Sequence, residues 1–212
     1  MKTWKILNQE KLEKSENIIG VILENRGLSS EKAKKEFLNP KESSQITAKE
    51  LDISLINLNK SLKRIQKAIK SKEQIIVYGD YDCDGITATA IMWQTLFNLG
   101  AKVLPFIPDR ADEGYGLSVA GLNNLMEKIP ETKLVITVDH GIVAVEQTEY
   151  AQKELGLDII ITDHHTKGKK LPKAFAIIHT TKLSGSGLSW FVANQIKNTT
   201  NHLSPTTNHL DL

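Results

Sequence analysis

Residues 74–100 read QIIVYGDYDCDGITATAIMWQTLFNLG and contain the pattern that decides the fold. The apolar run QIIVYG, residues 74–79, predicts a buried strand. ITATAIMWQTLFNLG, residues 86–100, predicts a helix that ends at Gly100. Three carboxylates stand at alternate positions between these two elements: Asp80, Asp82 and Asp84. Because like charges at this spacing repel one another, the stretch has to be explained by chemistry as well as by folding.

Short apolar runs alternate with helical stretches through most of the remaining sequence. Further strands are predicted at 102–108, 133–139, 158–163 and 174–179. Further helices are predicted from Ser118 to about Lys128, at 143–155 and at 187–197. A repeat of strand, helix and strand implies right-handed crossovers and a sheet covered on both faces. The predicted fold class is therefore α/β, with a mostly parallel, Rossmann-like sheet flanked by helices.

The first part of the chain differs from the rest in pattern and in charge. Residues 1–72 predict helices and loops, including an amphipathic helix at 55–70 whose lysines lie mostly off its apolar stripe. They hold 16 Lys and Arg against 9 Asp and Glu, whereas residues 73–212 hold 11 against 16. A basic segment of this kind can meet a polyanion, although lysine-rich helix faces are more often simply solvated. We predict three segments: a basic helical segment at 1–72, the α/β domain at 73–197 and a polar, disordered tail at 198–212.

Composition excludes several classes of protein. Of 212 residues, 40% are apolar and 25% are charged, as in ordinary soluble globular proteins. No window approaches the roughly 18 uncharged apolar residues of a membrane span. The N-terminus lacks the apolar core of a secretory signal, so the expected location is the cytoplasm. The single cysteine, Cys83, cannot form an internal disulfide.

Polar side chains follow three of the predicted strands at the point where each strand ends. Asp80, Asp82 and Asp84 follow the first strand, Asp139 and His140 end the third, and Asp163, His164 and His165 end the fourth. In an open parallel sheet these ends meet at the edge where ligands bind. In an extended segment alternate side chains share a side, so Asp82 and Asp84 are expected to point to one place, away from Tyr81 and Cys83. A cation would make such crowding of carboxylates favourable, and the pattern therefore predicts a metal site.

The types of ligand restrict the choice of metal ion and of reaction. Aspartate oxygen mixed with histidine nitrogen suits manganese, iron, zinc or magnesium better than calcium. Four aspartates with two or three histidines exceed what one ion needs, which favours two ions about 3.5–4 Å apart and phosphoester hydrolysis. Taken singly, each of these motifs can also be explained by a structural role. Asp and Gly after a strand often form only a turn, and a lone Asp-His pair is more often a capping or turn feature.

Five segments of the sequence resemble the motifs of a known family. They are GDYDCDGITATA, PDRADEGYGLS, ITVDHG and ITDHH, with RGLSSEKAKKEFLNP near the N-terminus. Together they resemble the DHH phosphoesterase superfamily, and within it the RecJ-type exonucleases, which are specific for single-stranded DNA. The resemblance implies 5′ to 3′ hydrolysis of single-stranded DNA in repair and recombination, with two Mn²⁺ or Mg²⁺ ions. It also implies replication or repair proteins as possible partners.

The resemblance assigns roles to individual residues. Asp82 and Asp84 match metal ligands with Asp80 as an outer member, Asp139 matches the bridging ligand, and His164 matches the metal-binding imidazole. His165 matches a phosphate contact that Asp163 orients. Arg110 and Tyr115 match a loop near the nucleic-acid strand, where Arg suits a phosphate and Tyr suits base stacking or a packed turn. Gly185 and Gly187 match a turn that presents backbone N–H groups to an anion.

The sequence departs from the family pattern at three places. His140 stands where the family commonly has cysteine, and either a ligand or substrate contact or a satisfied polar contact explains it. HTT, residues 179–181, replaces the usual Asn-Pro. A fourth motif, whose Asp completes the second metal's ligands, and a second domain are not visible after Lys197, and Asp211 is a poor substitute. Another chain supplying that domain is therefore a possible partner.

Two further hypotheses stay open from the sequence. The first is a weakly active or non-catalytic module that binds nucleic acid or a repair partner, suggested by the missing fourth motif. The second is a phosphoesterase acting on short oligonucleotides or small nucleotides. The basic segment at 1–72 slightly favours a longer polyanion.

Overall fold

The computed structural model describes residues 15–200. The chain divides into two compact units, with the boundary between Ile46 and Thr47. The first unit contains α1 (Ser15–Asn25), α2 (Glu31–Leu38) and a 3₁₀ turn (Ser43–Gln45). α2 begins after Ser30, whose hydroxyl accepts a hydrogen bond from the backbone of Ala33, as an N-cap serine does. The predicted polar tail lies outside the described residues from position 201 onwards.

The second unit contains a five-stranded sheet in which every pairing is parallel. The strands are β1 (Gln74–Tyr78), β2 (Val103–Phe106), β3 (Thr132–Val138), β4 (Asp158–Asp163) and β5 (Ala176–His179). Their order across the sheet is β2-β1-β3-β4-β5. In the register, Ile76 lies beside Val135 and Ile136 beside Ile160. The predicted α/β fold with a parallel sheet is confirmed.

Helices cover both faces of this sheet. They are α3 (Leu55–Lys70), α4 (Cys83–Asn98), α5 (Val119–Lys128), α6 (Val145–Lys153) and α7 (Gly185–Thr200). α5 and α6 contribute Leu122, Leu125 and Ala151 to a core cluster that includes the strand residues Ile76 and Val135. α4 packs against α7 and α7 against α3, and these three helices also contact the sheet. Successive strand residues point to opposite faces of the sheet, and α3, α4 and α7 cover the face opposite to α5 and α6.

The observed helix boundaries can be compared with those predicted from the sequence, and a side-chain cap explains the difference at α4. α3 has the predicted bounds, and in the structure it belongs to the second unit together with the sheet. α4 begins at Cys83, three residues before the predicted start at Ile86. The reason is that the Asp82 carboxylate accepts a hydrogen bond from the backbone of Gly85 and caps the helix one turn earlier.

A nearly buried arginine joins α3 to the edge of the sheet where the strands begin. The side chain of Arg64 is 7% exposed. Its Nε lies 2.6 Å from Asp158 Oδ2 at the start of β4, and a terminal nitrogen lies 2.7 Å from Glu73 Oε2 just before β1. The candidate site described below lies at the opposite edge, so this ion-paired cluster supports the fold and not the site.

No helix between residues 15 and 200 is both long and apolar enough to cross a membrane.

Candidate metal centre

The strand order creates a crevice at the carboxyl ends of β1 and β3. From β1 the chain passes to β2 on one side, and β3 lies on the other side, so the direction of winding reverses between β1 and β3. Ligands of open parallel sheets bind outside the strand ends at such a reversal. Asp80 and Asp82 follow β1 and Asp139 follows β3. The fold therefore places all three carboxylates at this crevice.

Two groups of potential metal ligands share one residue. Asp80, Asp82 and Asp139 form the first group, and Asp139, His164 and His165 form the second. Within each group one donor atom from each side chain lies within 4.8 Å of the others. His164 Nε2 is 3.0 Å from Asp139 Oδ1, which places the two groups directly beside each other. The arrangement can hold two ions with Asp139 between them.

The two buried carboxylates show why a cation fits here. Asp80 and Asp139 are 0% and 2% exposed. Asp80 Oδ2 is buried and has no hydrogen-bond partner among the described residues, and the buried Asp139 Oδ1 makes no hydrogen bond there and faces His164 Nε2 at 3.0 Å. A buried carboxylate oxygen without a partner is costly, and a divalent cation would satisfy both oxygens. Burial, together with the charges of Asp84 and Asp82, raises the pKa of Asp139 to about 7.

The backbone around Asp139 is shaped to bring it close to α7. Asp139 has a φ of +67°, in the left-handed region that Asp tolerates better than most residues, and its N–H donates to the carbonyl of Thr162 in β4. Gly185 at the start of α7 lies against its side chain. A Cβ added at Gly185 would stand 2.6 Å from Asp139 Cβ and closer still to the carboxylate. Only glycine allows this approach.

Asp84 takes a different position from the one the sequence predicted. An extended segment would have pointed Asp82 and Asp84 to one place, but the helix that begins at Cys83 turns Asp84 towards α7. Its carboxylate accepts hydrogen bonds from the backbone N–H groups of Gly185 (2.7 Å) and Ser186 (2.8 Å). Partial burial opposes the shift, but these bonds lower the pKa of Asp84. It belongs to neither group of three ligands, although one oxygen lies 3.7 Å from His164 Nε2.

Asp163 holds His165 in place. One oxygen, Oδ1, accepts from the backbone N–H of His165 (3.0 Å) and lies 2.8 Å from its Nδ1. The other oxygen accepts from the backbone of Ile142 at 2.8 Å. Partial burial lowers the pKa of His165, but the hydrogen bond and charge of Asp163 outweigh it and raise the pKa overall. The ring is half-exposed, so its other nitrogen is available to a substrate.

His140 is built into the interior. It is 3% exposed, and its Nε2 lies 3.0 Å from the carbonyl oxygen of Tyr78. Burial lowers its pKa and keeps the ring neutral. Nε2 therefore carries the proton and donates to that carbonyl. This contact satisfies Nε2, whereas Nδ1 is buried without a hydrogen-bond partner among the described residues, and a ligand or substrate contact of His140 stays a prediction.

An aromatic cluster with one arginine lies beside the carboxylates. The guanidinium of Arg110 stands 5.0 Å from the ring centre of Tyr81, and the rings of Tyr81 and Tyr115 meet edge to face at 6.0 Å. Glu113 holds their loop by accepting hydrogen bonds from Asp109 N and from the Asn124 side chain.

The sequence pattern did not predict a place for Tyr81 in this cluster, because alternation of side chains along an extended segment directs Tyr81 away from Asp82 and Asp84. An aromatic residue between two candidate ligands was the available signal.

The glycines at the start of α7 do not offer their N–H groups to solvent. Gly185 N is bonded to Asp84, and Gly187 N donates to the hydroxyl of Ser184 at 3.1 Å. Their predicted contact with a substrate anion stays a prediction, whereas within the protein the N–H of Gly185, together with that of Ser186, positions Asp84.

Comparisons with known proteins identify the family to which the chain is similar. Residues 74–212 match the model of the DHH family, N-terminal domain. The chain is 37% identical over 188 residues to the single-stranded-DNA-specific exonuclease RecJ of Bacillus subtilis, which covers 84% of this chain and 23% of the relative. It is 41% identical over 133 residues to RecJ of Thermus thermophilus, which covers 59% of this chain and 18% of the relative. The chain thus spans less than a quarter of the length of these relatives.

Solved structures of RecJ exonucleases are also similar to this chain. An exonuclease RecJ bound to manganese superposes with a TM-score of 0.58 at 34% identity, over 71% of this chain and 39% of that one. RecJ of Thermus thermophilus in complex with Mn²⁺ superposes with a TM-score of 0.61 at 29% identity, over 89% of this chain and 26% of that one.

Proposed function

Because this chain belongs to the DHH family, we propose that it hydrolyses phosphodiester bonds of single-stranded DNA from the 5′ end, with two Mn²⁺ or Mg²⁺ ions. The observation that carries the proposal is the sharing of Asp139 between two groups of ligands at the crevice between β1 and β3. Similarity to relatives named as single-stranded-DNA-specific exonucleases supports the substrate. The proposal includes a cytoplasmic location and a role in DNA repair or recombination.

The side chains of the candidate site divide into those that would hold the ions, one that would contact the phosphate and one that positions its neighbours. Asp80, Asp82, Asp139 and His164 are the residues that would hold the ions. When bound, such ions supply a hydroxide near neutral pH and stabilise charge on a phosphoryl oxygen. Since the Nδ1 of His165 is engaged by Asp163, its Nε2 is left to donate to a phosphate oxygen. Asp84 fixes the start of α7 against Asp139.

The cluster of Arg110, Tyr81 and Tyr115, of which Arg110 and Tyr115 are exposed, would hold the strand next to the reacting bond. A guanidinium binds phosphate through charge-assisted hydrogen bonds. An aromatic ring stacks on a base with little regard to its identity, which is worth about 1–3 kcal/mol per base. Tyr115 is 58% exposed and so remains accessible to a base.

The decisive experiment compares Asp139→Asn with Glu127→Gln. Both changes remove one carboxylate charge and keep the shape of the side chain, but Glu127 is an exposed residue of α5. Release of nucleotides from 5′-labelled single-stranded DNA in Mn²⁺ should be abolished in Asp139→Asn and retained in Glu127→Gln. Retained release in Asp139→Asn would refute the proposal.

Two measurements separate the alternatives. Calorimetric titration with Mn²⁺ should give two sites, whereas a non-catalytic module without functional metal sites should give none. Release rates from long single strands should exceed those from dinucleotides, and the reverse order would indicate a small-nucleotide phosphoesterase.

A further inference from the structure

We infer that the segments following β4 and β5 form a phosphate-binding subsite, which holds a polynucleotide strand through phosphate groups outside the reacting bond. We call residues 166–170 together with 179–181 the β4–β5 subsite. The inference rests on the proposed function for its ligand class, and it adds a surface for the strand on the side of the metal centre opposite β2.

A cavity lies between these two segments. Its volume is about 370 Å³, and it is lined by Asp52, Thr166, Lys167, His179, Thr180 and Thr181. It adjoins the metal centre, because Thr166 directly follows His165 and His179 Nε2 lies 2.7 Å from the backbone carbonyl oxygen of His165. A ligand in the cavity would therefore be separated from the metal centre only by His165 and its neighbours.

The sheet register explains why the two segments run side by side. β4 and β5 are parallel neighbours, and Asp163 lies beside His179. Both strands end at the same edge of the sheet, and the hydroxyl-bearing residues Thr166 and Thr181, which lie in the segments that follow them, both line the cavity. Both threonines are exposed. Hydroxyl groups are common donors to phosphate oxygens, as are lysine amines.

The charge of this region is suited to an anion. The sequence HHTKGKKLPK at 164–173 contains four lysines and no acidic residue. Lys167, Lys169 and Lys170 are exposed. The one carboxylate lining the cavity belongs to Asp52, and Lys182 Nζ lies 2.7 Å from its Oδ2. Because that carboxylate is paired, the lysines of the loop determine the local potential.

The basic helix α3 is the competing surface. Its lysines Lys63, Lys67 and Lys70 are also exposed. However, α3 ends at Lys70, and only three residues separate it from the first residue of β1. Its last turn therefore lies at the edge where the strands begin, away from the metal centre. The two surfaces predict different outcomes when the same number of charges is removed from each.

The test measures binding without turnover. The probe is a short, fluorescein-labelled oligothymidylate with phosphorothioate linkages, and its length is checked after each titration in Mn²⁺. Lysines 167, 169 and 170 are changed together to alanine, and the matched control changes lysines 63, 67 and 70 to alanine. Thermal unfolding checks that both variants fold.

Removal of three phosphate contacts should reduce the slope of log affinity against log salt by about 2, since each contact to a single strand contributes about 0.7. We expect this reduction for the loop variant between about 50 and 200 mM salt and an unchanged slope for the α3 variant. A second variant, Thr166→Val with Thr181→Val, should weaken binding at every salt concentration without changing the slope, because it removes hydroxyl donors and no charge.

An unchanged slope in the loop variant, or an equal loss in both lysine variants, would overturn the subsite. The outcome of this binding test does not depend on whether the protein hydrolyses DNA. A protein that binds through the loop lysines but releases no nucleotide would refute the proposed hydrolysis alone. One that hydrolyses DNA without any dependence of binding on these lysines would refute the subsite alone.

Discussion

Substitution of Gly185 by alanine tests whether the contact between α7 and Asp139 shapes the metal centre. The added Cβ would stand 2.6 Å from Asp139 Cβ, whereas carbon atoms in contact are about 3.5–4.0 Å apart. Asp139 or the start of α7 must therefore move by about 1 Å. Overpacking of this kind costs about 1–3 kcal/mol of unfolding free energy. The movement also disturbs the bond from Gly185 N to Asp84.

We expect Gly185→Ala to bind Mn²⁺ about 10–100-fold more weakly, the usual loss when the support of a metal ligand is disturbed. Isothermal titration calorimetry measures the affinity, and urea unfolding measures the stability. The matched control is Gly187→Ala in the same turn, where the nearest atom to the added Cβ is Ser184 Oγ at an ordinary 3.4 Å. Gly187→Ala should bind Mn²⁺ normally and be up to about 1 kcal/mol more stable, because alanine favours a helix. Equal Mn²⁺ affinity in Gly185→Ala and the unmodified protein would refute the reasoning.

Three further substitutions have defined outcomes. Arg64→Met removes the partner of Asp158 and Glu73 and should lower the unfolding free energy in urea by about 1–3 kcal/mol, because both carboxylates are partly exposed and regain some hydration. Ser118→Ala removes the acceptor of the Gly121 N–H at the start of α5 and should cost about 1 kcal/mol, which Ser118→Asp should restore. Asp163→Asn should reduce kcat for nucleotide release about 10–100-fold, while a larger effect on KM than on kcat would contradict its role in orienting His165.

The sheet was predictable because its strands carry strong local signals. β4 has the predicted bounds, since DIIITD contains four consecutive β-branched residues and a glycine stands at position 156 before it. The edge strand β2 is shorter than predicted, because β1, its only neighbour among the described strands, ends at Tyr78, which pairs with Phe106. The grouping of α3 with the sheet depends on contacts with β5 and α7, which are distant in sequence, so no local pattern could reveal it.

The candidate site was predictable in location but not in detail. Parallel strands bring their carboxyl ends to one edge, so the convergence of Asp80, Asp139 and His164 followed from topology alone. The orientation of Asp84 did not, because it depends on where α4 begins and on N–H groups about a hundred positions away in α7. The contacts of Tyr81 with Arg110 and Tyr115 likewise depend on the path of a distant loop.

The shared position of Asp139 has a genetic consequence. One side chain belongs to both groups of potential ligands, so under the proposed function an allele that removes its carboxylate would remove both ion positions at once. Alleles that separate the two ions must instead affect Asp80 or Asp82 for one group and His164 for the other. A mutational screen should accordingly recover graded phenotypes at those three positions and only complete loss at position 139.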